Sequence, residues 1–413
     1  MNILEIILQN LPAIEKIIKE KCEIFHKSIF LSSIEELGSH PDAELPEILS
    51  RIAAVRTFTW ELIHIGHWNE VDVQKRIDYS IATFLEVILM LKMNDAEDDY
   101  QIFIDCLKEL DTGILLGASV VNEGGEDVLK SAARLISVEV SMREEFRSIP
   151  LSTKVELRPS HGVVTKMPAS VETQVDSLEL PSIQEFRENF FSPRKPAVLL
   201  ECINHWPARD KWKDLGYFIH HFGHRTVPIE IGSQYTEANW GQKLVQLKDF
   251  IERQFISRSE ETVIEYLAQH DLLEQIPELK EDIRIPDYCY ADTTETDVEV
   301  KMWFGPWGTV SPLHYDKKHN LLAQVVGTKR ILLADPHDAE AVYPFDGKML
   351  SNTSQVDLEN VDWEKFPKIR EIAFYQVHLH EGEVLYIPPG WWHHVRAISN
   401  SISLSFWWES SKE

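Results

Sequence analysis

Cysteine is scarce in this sequence, and no two cysteines are close together. The 413 residues include four of them, Cys22, Cys106, Cys202 and Cys289, with no CxxC pair. Zinc fingers need closely spaced cysteine pairs, and disulfide-stapled domains are small and rich in cysteine. The four scattered cysteines therefore suggest neither class and indicate a reduced, intracellular protein.

Long apolar runs and N-terminal basic residues are also missing. The most apolar stretch, residues 84–93, is interrupted by Glu86 and Lys92. It is much shorter than the roughly 20 apolar residues that a membrane helix requires. The first residues, MNILEIILQNLPAIEK, have no basic segment before their apolar positions, which favours a helix over a signal peptide. We therefore expect no membrane association.

Positive charge is in short supply as well. Lysine and arginine number 41 against 67 aspartates and glutamates, which gives a formal net charge of −26 at pH 7. Such an acidic chain is a poor ligand for a phosphate backbone and attracts basic partners. We expect no direct nucleic-acid binding. Residues 147–180 contain only isolated basic residues, so a clustered nuclear-localisation signal is absent from that segment.

The first 146 residues are predicted to form a helical domain. Their apolar residues recur at helical spacing, which is the ordinary sign of a packed bundle. The domain is therefore expected to form a core, with partner binding as an additional role. Three stripes carry this prediction: Ile3, Ile7, Leu11, Ile14 and Ile18; Ile77, Ile81, Phe84, Leu85, Ile88 and Leu91; Tyr100, Phe103, Leu107, Leu110 and Ile114.

The rest of the chain changes character twice. Residues 147–180 contain scattered prolines without periodicity and are predicted to be a flexible linker. Residues 181–413 contain many short strand candidates without intervening long helices, which is typical of a double-sheet jelly roll. The strands are expected at residues 197–201, 226–231, 298–304, 308–314, 321–326, 329–334, 383–387 and 402–407. The predicted fold class is α+β.

One pair in the β-rich part has the chemistry of a metal site. His314 and Asp316 are two residues apart on a predicted strand, so their side chains leave the same face. Two imidazoles and one carboxylate on one face of a metal are the ligand set of non-haem Fe(II) oxygenases. The third ligand is expected in the segment IPPGWWHHV. There His393 and His394 are adjacent, and only one of them can point towards the metal.

The surroundings of this pair resemble those of the jumonji-C (JmjC) family. In that family a hydroxyl residue lies three positions before the first histidine, an asparagine six after it and a lysine fifteen after it. Here these positions hold Ser311, Asn320 and Lys329. The family's distal histidine follows a WW or YW pair, which points to His393. Residues 181–408 thus resemble a JmjC domain, and the resemblance implies a double-stranded β-helix of the cupin type behind a helical domain.

The resemblance also implies cofactors and their ligands. JmjC domains use Fe(II), O₂ and 2-oxoglutarate, so we expect all three here. By resemblance, His314, Asp316 and His393 are the catalytic metal ligands. The remote carboxylate of 2-oxoglutarate needs a cation and hydroxyl donors. By the resemblance, Asn320 lies near the metal-chelating end. The residues that the family would use for 2-oxoglutarate are Tyr266, Ser311, Asn320 and Lys329.

The same resemblance suggests a reaction. One branch of the family hydroxylates C3 of arginine in proteins, with succinate and CO₂ as coproducts. An arginine substrate needs acidic and aromatic partners, for which Glu230, Trp240 and Trp303 are candidates. The other interpretation of these three is that of ordinary strand and core residues. Trp391, Trp392, Trp407 and Trp408 are expected to pack inside the barrel.

Three alternatives remain open at this point. Histone N-methyl-lysine demethylation uses the same chemistry, although many such demethylases carry zinc modules that four scattered cysteines do not supply. A peptidase acting on methylated histone tails is another alternative, but the sequence contains no GxSxG or HExxH motif to support it. A non-enzymatic JmjC scaffold would predict a damaged site, whereas the ligands are all present. We therefore expect a protein arginine hydroxylase related to chromatin regulators, nuclear or cytoplasmic, acting on arginine-bearing proteins or alternatively on methylated histone tails.

Overall fold

The computed structural model describes residues 3–39, 44–66, 70–94, 100–142, 171–232, 240–259, 261–293, 297–347 and 350–410. These residues form two compact units. The first contains the described residues up to 142 together with residues 218–227 and 246–248. The second contains the remaining residues. None of the described helices combines the length and the apolarity that a bilayer span requires.

The first unit is built from helices, as the apolar stripes predict. Pro12 lies in the first turn of its second helix, where a missing backbone N–H costs nothing. The fifth helix is the centre of the core, with Ile81, Phe84 and Ile88 fully buried. Its N-cap is Asp72, whose side chain accepts a hydrogen bond from the backbone of Gln74 at 3.0 Å. The helices are α1 Ile3–Leu8, α2 Leu11–Lys21, α3 Ile24–Ser39, α4 Leu45–Ile63, α5 Val73–Met93, α6 Tyr100–Leu116 and α7 Val128–Met142.

A buried ion pair inside this unit explains why residues 218–227 belong to it. Arg225 donates to Asp111 of α6 from Nε at 3.0 Å and from Nη2 at 2.6 Å. The backbone N–H of Thr226 donates to the other carboxylate oxygen at 2.7 Å. Both charged side chains are at most 1% exposed. Two opposite buried charges with several hydrogen bonds fix this segment against the helix.

The second unit is a jelly roll of two sheets. A five-stranded sheet has the order β1-β11-β10-β13-β8, and a nine-stranded sheet has the order β2-β3-β12-β9-β14-β7-β6-β4-β5. The strands are β1 Val171–Gln174, β2 Asp176–Glu179, β3 Ala197–Leu200, β4 Thr226–Ile231, β5 Gly241–Gln246, β6 Glu265–His270, β7 Glu299–Gly305, β8 Val310–Tyr315, β9 His319–Val326, β10 Lys329–Ala334, β11 Phe374–Leu379, β12 Val384–Ile387, β13 Trp392–Ala397 and β14 Ser401–Trp408.

The predicted fold class is confirmed, and two predicted strands, β4 and β10, begin and end at the predicted residues. The sequence analysis missed others, including β11 and β13. It also placed β1 and β2 within the predicted linker, because short polar strands carry almost no propensity signal of their own. β2 is ordered by parallel pairing with β3, with Asp176 opposite Ala197. The rest of the predicted linker, residues 147–170, lies outside the described residues.

Gly305 allows two strands to come close beside the jelly-roll interior. A Cβ atom at this position would lie 2.4 Å from the ring of Tyr266 and 3.2 Å from the side chain of Thr309. The first distance is shorter than a real side chain allows, and the second is tight. Glycine therefore lets the Tyr266 ring pack against β7, next to the cavity described below.

Candidate active site

The three predicted metal ligands come together in the jelly roll. His314 lies on β8, Asp316 directly follows that strand, and His393 lies on β13. The two histidines are opposite each other across the strand pair, with ring centroids 4.2 Å apart. Nε2 of His393 is 3.7 Å from Oδ2 of Asp316. One ligand atom from each residue lies within 4.8 Å of the others, so a single cation would reach all three. We call this group the triad.

Hydrogen bonds orient both imidazoles of the triad. Nδ1 of His314 lies 2.7 Å from the carbonyl of Pro312, and Nδ1 of His393 lies 3.0 Å from the carbonyl of Trp391. A carbonyl only accepts, so Nδ1 carries the proton in each ring and Nε2 keeps its lone pair. Burial lowers the pKa of His393 to about 4, which keeps that ring neutral. Oδ2 of Asp316 is buried without a hydrogen-bond partner among the described residues. These are the features of a metal ligand set with its supporting carbonyls.

The second histidine of the WWHH segment has different surroundings. His394 lies opposite Leu332 of β10, and the strand pairing with β8 is irregular just after His393. Its Nε2 is 3.5 Å from Oε1 of Glu359. Glu359 also accepts from Arg330 at 2.6 Å and from Arg396 at 2.8 Å. His394 is therefore directed to an ionic cluster and not to the triad. Sequence reasoning did not single out Glu359, which lies in a long connection between β10 and β11.

The residues that the family uses for 2-oxoglutarate gather beside the triad. Ser311, Asn320 and Lys329 line the same cavity as the triad, which encloses about 360 Å³ including its open mouth. Nζ of Lys329 is 3.3 Å from the hydroxyl of Tyr266. Burial strongly raises the pKa of Tyr266, so its hydroxyl remains a donor at neutral pH. The cavity thus combines a metal ligand set, the hydroxyls of Ser311 and Ser405, an amide and a cation, whereas Tyr266 is not a lining residue and contacts the site through Lys329.

Lys329 makes this cavity suited to an anion. Its side chain is 2% exposed, and burial lowers its pKa to about 7. Among the described residues its polar neighbour is the Tyr266 hydroxyl, and no carboxylate forms an ion pair with it. Oδ1 of Asn320 is likewise buried without a partner in the described part of the chain. A buried cation is unfavourable unless it is paired. The donor set therefore fits Fe(II) together with a carboxylate ligand.

The three candidate substrate residues lie in two neighbouring places. Glu230 of β4 is directly opposite Tyr266 of β6, and it accepts a hydrogen bond from Nε1 of Trp240 at 3.3 Å. Burial raises the pKa of Glu230. Trp303 lines the cavity itself and donates to the hydroxyl of Ser405 at 3.0 Å. The rings of Tyr266 and Trp303 are 6.0 Å apart, which connects the two places.

Trp407 is a cavity residue that the sequence analysis assigned to packing. It lies on β14 with its ring in the wall of the cavity, and its indole N–H has no partner among the described residues. Ser405, two positions earlier on the same strand, faces the same cavity. The alternation SISLSFWW carries this information, because residues two apart on a strand share a face. The pattern shows that Ser405 and Trp407 lie on one face of β14, but it does not show that this face lines a cavity.

Two histidines and an aspartate at the mouth of a jelly roll, beside a buried lysine, define a cupin-type metal centre. Residues 183–413 match the family model described as a cupin-like domain. The Drosophila melanogaster "Jumonji C domain-containing protein 5" is 40% identical over 383 residues, covering 91% of this chain and 90% of that protein. The Danio rerio "Lysine-specific demethylase 8" is 37% identical over 372 residues, covering 89% of each chain. The Arabidopsis thaliana "Lysine-specific demethylase JMJ30" is 37% identical, covering 93% of this chain and 92% of that protein.

The chain therefore belongs to the cupin-like JmjC dioxygenase family. Fe(II) and 2-oxoglutarate dependence is general in this family, and the triad offers a matching ligand set. The family assignment suggested by the residues around His314 is thus confirmed. The reaction class that it suggests is that of a 2-oxoglutarate-dependent oxygenase.

Proposed function

We propose that the protein is an Fe(II)- and 2-oxoglutarate-dependent hydroxylase that acts on C3 of arginine in protein substrates and releases succinate and CO₂. The observation that carries the proposal is the unpaired buried lysine in the triad's cavity. Lys329 requires an anion, and the triad requires a cation, within one small space. A metal with a chelating dicarboxylate satisfies both requirements.

In this proposal each side chain has one task. The triad holds Fe(II), and its backbone carbonyl partners keep Nε2 of both imidazoles directed at the metal. Lys329 pairs with the remote carboxylate of 2-oxoglutarate, helped by the hydroxyls of Tyr266 and Ser311, and Asn320 contacts the chelating end. When bound, Fe(II) and 2-oxoglutarate would supply the activation of O₂, of which one atom is inserted into the C–H bond and the other ends in succinate. The protein contributes positioning and the exclusion of water.

The arginine assignment rests on Glu230 and two tryptophans. Trp240 donates to the Glu230 carboxylate and so fixes its orientation before a substrate arrives. A guanidinium that pairs with Glu230 would offset the burial that raises the pKa of this carboxyl. Trp240 and Trp303 offer faces on which a planar guanidinium stacks. The net charge of −26 attracts basic protein segments to the site.

N-methyl-lysine demethylation is the second candidate, because two of the relatives carry the name of lysine-specific demethylases. Both reactions begin with hydroxylation of a C–H bond, and they differ in which carbon lies at the metal. An acidic residue with neighbouring aromatic rings favours arginine. A methylated ammonium would instead be favoured by an aromatic cage without an ion pair.

Mass spectrometry of two peptide sets separates these candidates. Arginine-containing and methyl-lysine-containing peptides are incubated with the chain, Fe(II), ascorbate and 2-oxoglutarate. The gain of one oxygen on arginine supports the proposal, whereas loss of a methylene from lysine overturns it in favour of demethylation. Cleaved peptides would indicate a peptidase. Absence of succinate with every peptide would indicate a scaffold without enzymatic activity.

Two variants connect the reaction to the triad. Asp316→Ala removes the carboxylate ligand, and we expect turnover to fall below detection while the circular dichroism spectrum is unchanged. The matched control is Asp346→Ala, an exposed carboxylate in the same unit, for which we expect wild-type turnover. Substantial turnover by Asp316→Ala would contradict the triad assignment.

A further inference from the structure

A second group of metal-ligating side chains lies in the helical unit. Glu23, His26 and Asp78 each offer one ligand atom, and these atoms lie within 4.8 Å of one another. His26 and Asp78 are 2% and 0% exposed, whereas Glu23 reaches solvent. Within the described ranges, this group and the triad are the two sets with such geometry. The group has no part in the chemistry proposed above.

The charges of this group do not balance. Nδ1 of His26 lies 2.7 Å from Oδ2 of Asp78. No lysine or arginine in the described part of the chain forms an ion pair with Asp78, which is fully buried. The Glu23 carboxylate places a second negative charge, open to solvent, beside this pair. Buried charges in proteins are normally paired or bound to a metal. A divalent cation would neutralise both carboxylates and leave the imidazole uncharged.

The spacing of the three residues is one that helical proteins use for metals. Glu23 directly precedes α3 and His26 lies in its first turn, so the two form a Glu-x-x-His pair. Residues three apart on a helix point to the same side. Helix bundles combine such pairs with a carboxylate from another helix to hold metal ions. Here Asp78 of α5 is that carboxylate.

Two further side chains orient the buried carboxylate. The thiol of Cys22 donates a hydrogen bond to Asp78, and burial together with this carboxylate strongly raises the pKa of the thiol. Cys22 is not among the residues whose ligand atoms converge, so it acts as a hydrogen-bond donor and not as a ligand. Nε2 of Gln74 is 3.5 Å from Oδ1 of Asp78. Metal-ligating carboxylates are typically held by such outer hydrogen bonds.

We propose that Glu23, His26 and Asp78 bind one divalent cation of the zinc class, with water completing the coordination on the exposed side. The cation takes the place of the proton that lies between Nδ1 of His26 and Oδ2 of Asp78. These two atoms then separate from hydrogen-bond contact to the spacing of neighbouring ligands. Acid weakens binding, because the proton competes with the cation. The bound ion ties the start of α3 to α5 and stabilises the helical unit.

The test uses the full chain with His314→Ala and Asp316→Ala, which removes the triad as a competing site. Zinc bound after equilibrium dialysis is measured by elemental mass spectrometry, and Co²⁺ absorption reports the ligand geometry. We expect one zinc per chain in this parent. Asp78→Asn and Glu23→Gln should each abolish it or weaken it strongly, and Cys22→Ala should weaken it about 10- to 100-fold. Glu20→Gln, an exposed glutamate on α2, is the matched control and should bind zinc like the parent.

Each outcome decides the proposal. A folded parent that binds no zinc overturns it, as does zinc that stays bound in Asp78→Asn. If Asp78→Asn fails to fold, Glu23→Gln decides, because an exposed side chain tolerates this change. Unchanged zinc affinity in Glu23→Gln would also overturn the proposal, and His26 and Asp78 would then be an ordinary buried pair. This result does not bear on the hydroxylase proposal, because the variant used here lacks the triad ligands His314 and Asp316.

Discussion

Each unit of this protein contains a fully buried cationic side chain, and the two differ in whether a carboxylate pairs with them. Arg225 in the helical unit is 1% exposed and is bound by two oxygens of Asp111. Lys329 in the jelly roll is 2% exposed, has the Tyr266 hydroxyl as its polar neighbour, and has its pKa lowered to about 7. A partnered charge holds a fold together. A buried charge without a counter-ion marks the place where a ligand supplies one.

The largest expected change in folding stability comes from removing the carboxylate that pairs with Arg225. Asp111→Ala removes the carboxylate that holds the buried guanidinium of Arg225, which should lower the free energy of unfolding by about 3–5 kcal/mol. Urea denaturation followed by circular dichroism measures this change. Asp105→Ala, an exposed aspartate on the same helix, is the control and should change it by less than about 0.5 kcal/mol. Equal stability of the two variants would show that the buried pair is not structural.

The converse change removes the unpaired cation. Lys329→Met should weaken 2-oxoglutarate binding about 10- to 100-fold, because a hydrogen bond to a charged group contributes about 1.5–3 kcal/mol. Folding stability should be unchanged or higher, since an apolar side chain replaces an unpaired buried charge. Calorimetry with Mn²⁺ in place of Fe(II) measures the affinity without turnover. Lys368→Met, an exposed lysine of the same unit, is the control, and an equal loss there would contradict the assignment.

The lowered pKa of Lys329 predicts that folding stability and 2-oxoglutarate affinity both depend on pH. Its pKa is near 7 in the folded, ligand-free protein and 10.5 in its ordinary state. Between these values the unfolded chain holds one more proton, so the Lys329 contribution to stability rises with pH across this window. Binding of a carboxylate requires the protonated lysine, so 2-oxoglutarate affinity should fall as pH rises above 7. Affinity and unfolding titrations of wild type and Lys329→Met check both trends, and parallel profiles would contradict them.

The adjacent histidines should respond in opposite ways to replacement. His393→Ala should abolish metal binding at the triad, whereas His394→Ala should leave the metal content unchanged. The reason is that His394 lies beside Glu359, away from the triad. Elemental analysis of both variants, in chains that also carry Asp78→Asn, excludes metal bound in the helical unit. Metal loss in His394→Ala alone would reverse the choice of ligand.

Local patterns predicted much of the catalytic unit. The HxD pair and the family spacing led to Ser311, Asn320 and Lys329, and the structure groups these residues around one cavity. Strand alternation states that only one of His393 and His394 faces the metal, but it does not state which one. The WW pair of the family resemblance selected His393, and the structure agrees, since His393 of β13 is paired with His314 of β8. The strand β13 itself was not predicted, because WWHH after two prolines and a glycine resembles a turn.

Contacts between distant residues were beyond sequence reasoning. Asp111 and Arg225 are separated by 114 positions, and a helical stripe gives no sign that an aspartate within it is paired. Glu359 is similar, since it binds Arg330 and Arg396 from the long connection between β10 and β11. The two arginines are directly opposite each other on β10 and β13, so their mutual repulsion is offset by this one carboxylate. The charges in the sequence alone therefore predict neither the partner of Asp111 nor those of Glu359.

The cavity takes its wall from both sheets of the jelly roll. Lys329 and the two histidine ligands belong to the five-stranded sheet, whereas Asn320, Trp303 and Trp407 belong to the nine-stranded one. A cosubstrate that contacts both groups acts as a cross-link between the sheets. It should therefore raise the thermal unfolding temperature, with a gain of about 2.7 kcal/mol at a concentration 100 times its Kd. Heat resistance of the catalytic unit would then vary with the cellular supply of 2-oxoglutarate, so that the same molecule that is consumed in turnover also protects the enzyme from unfolding.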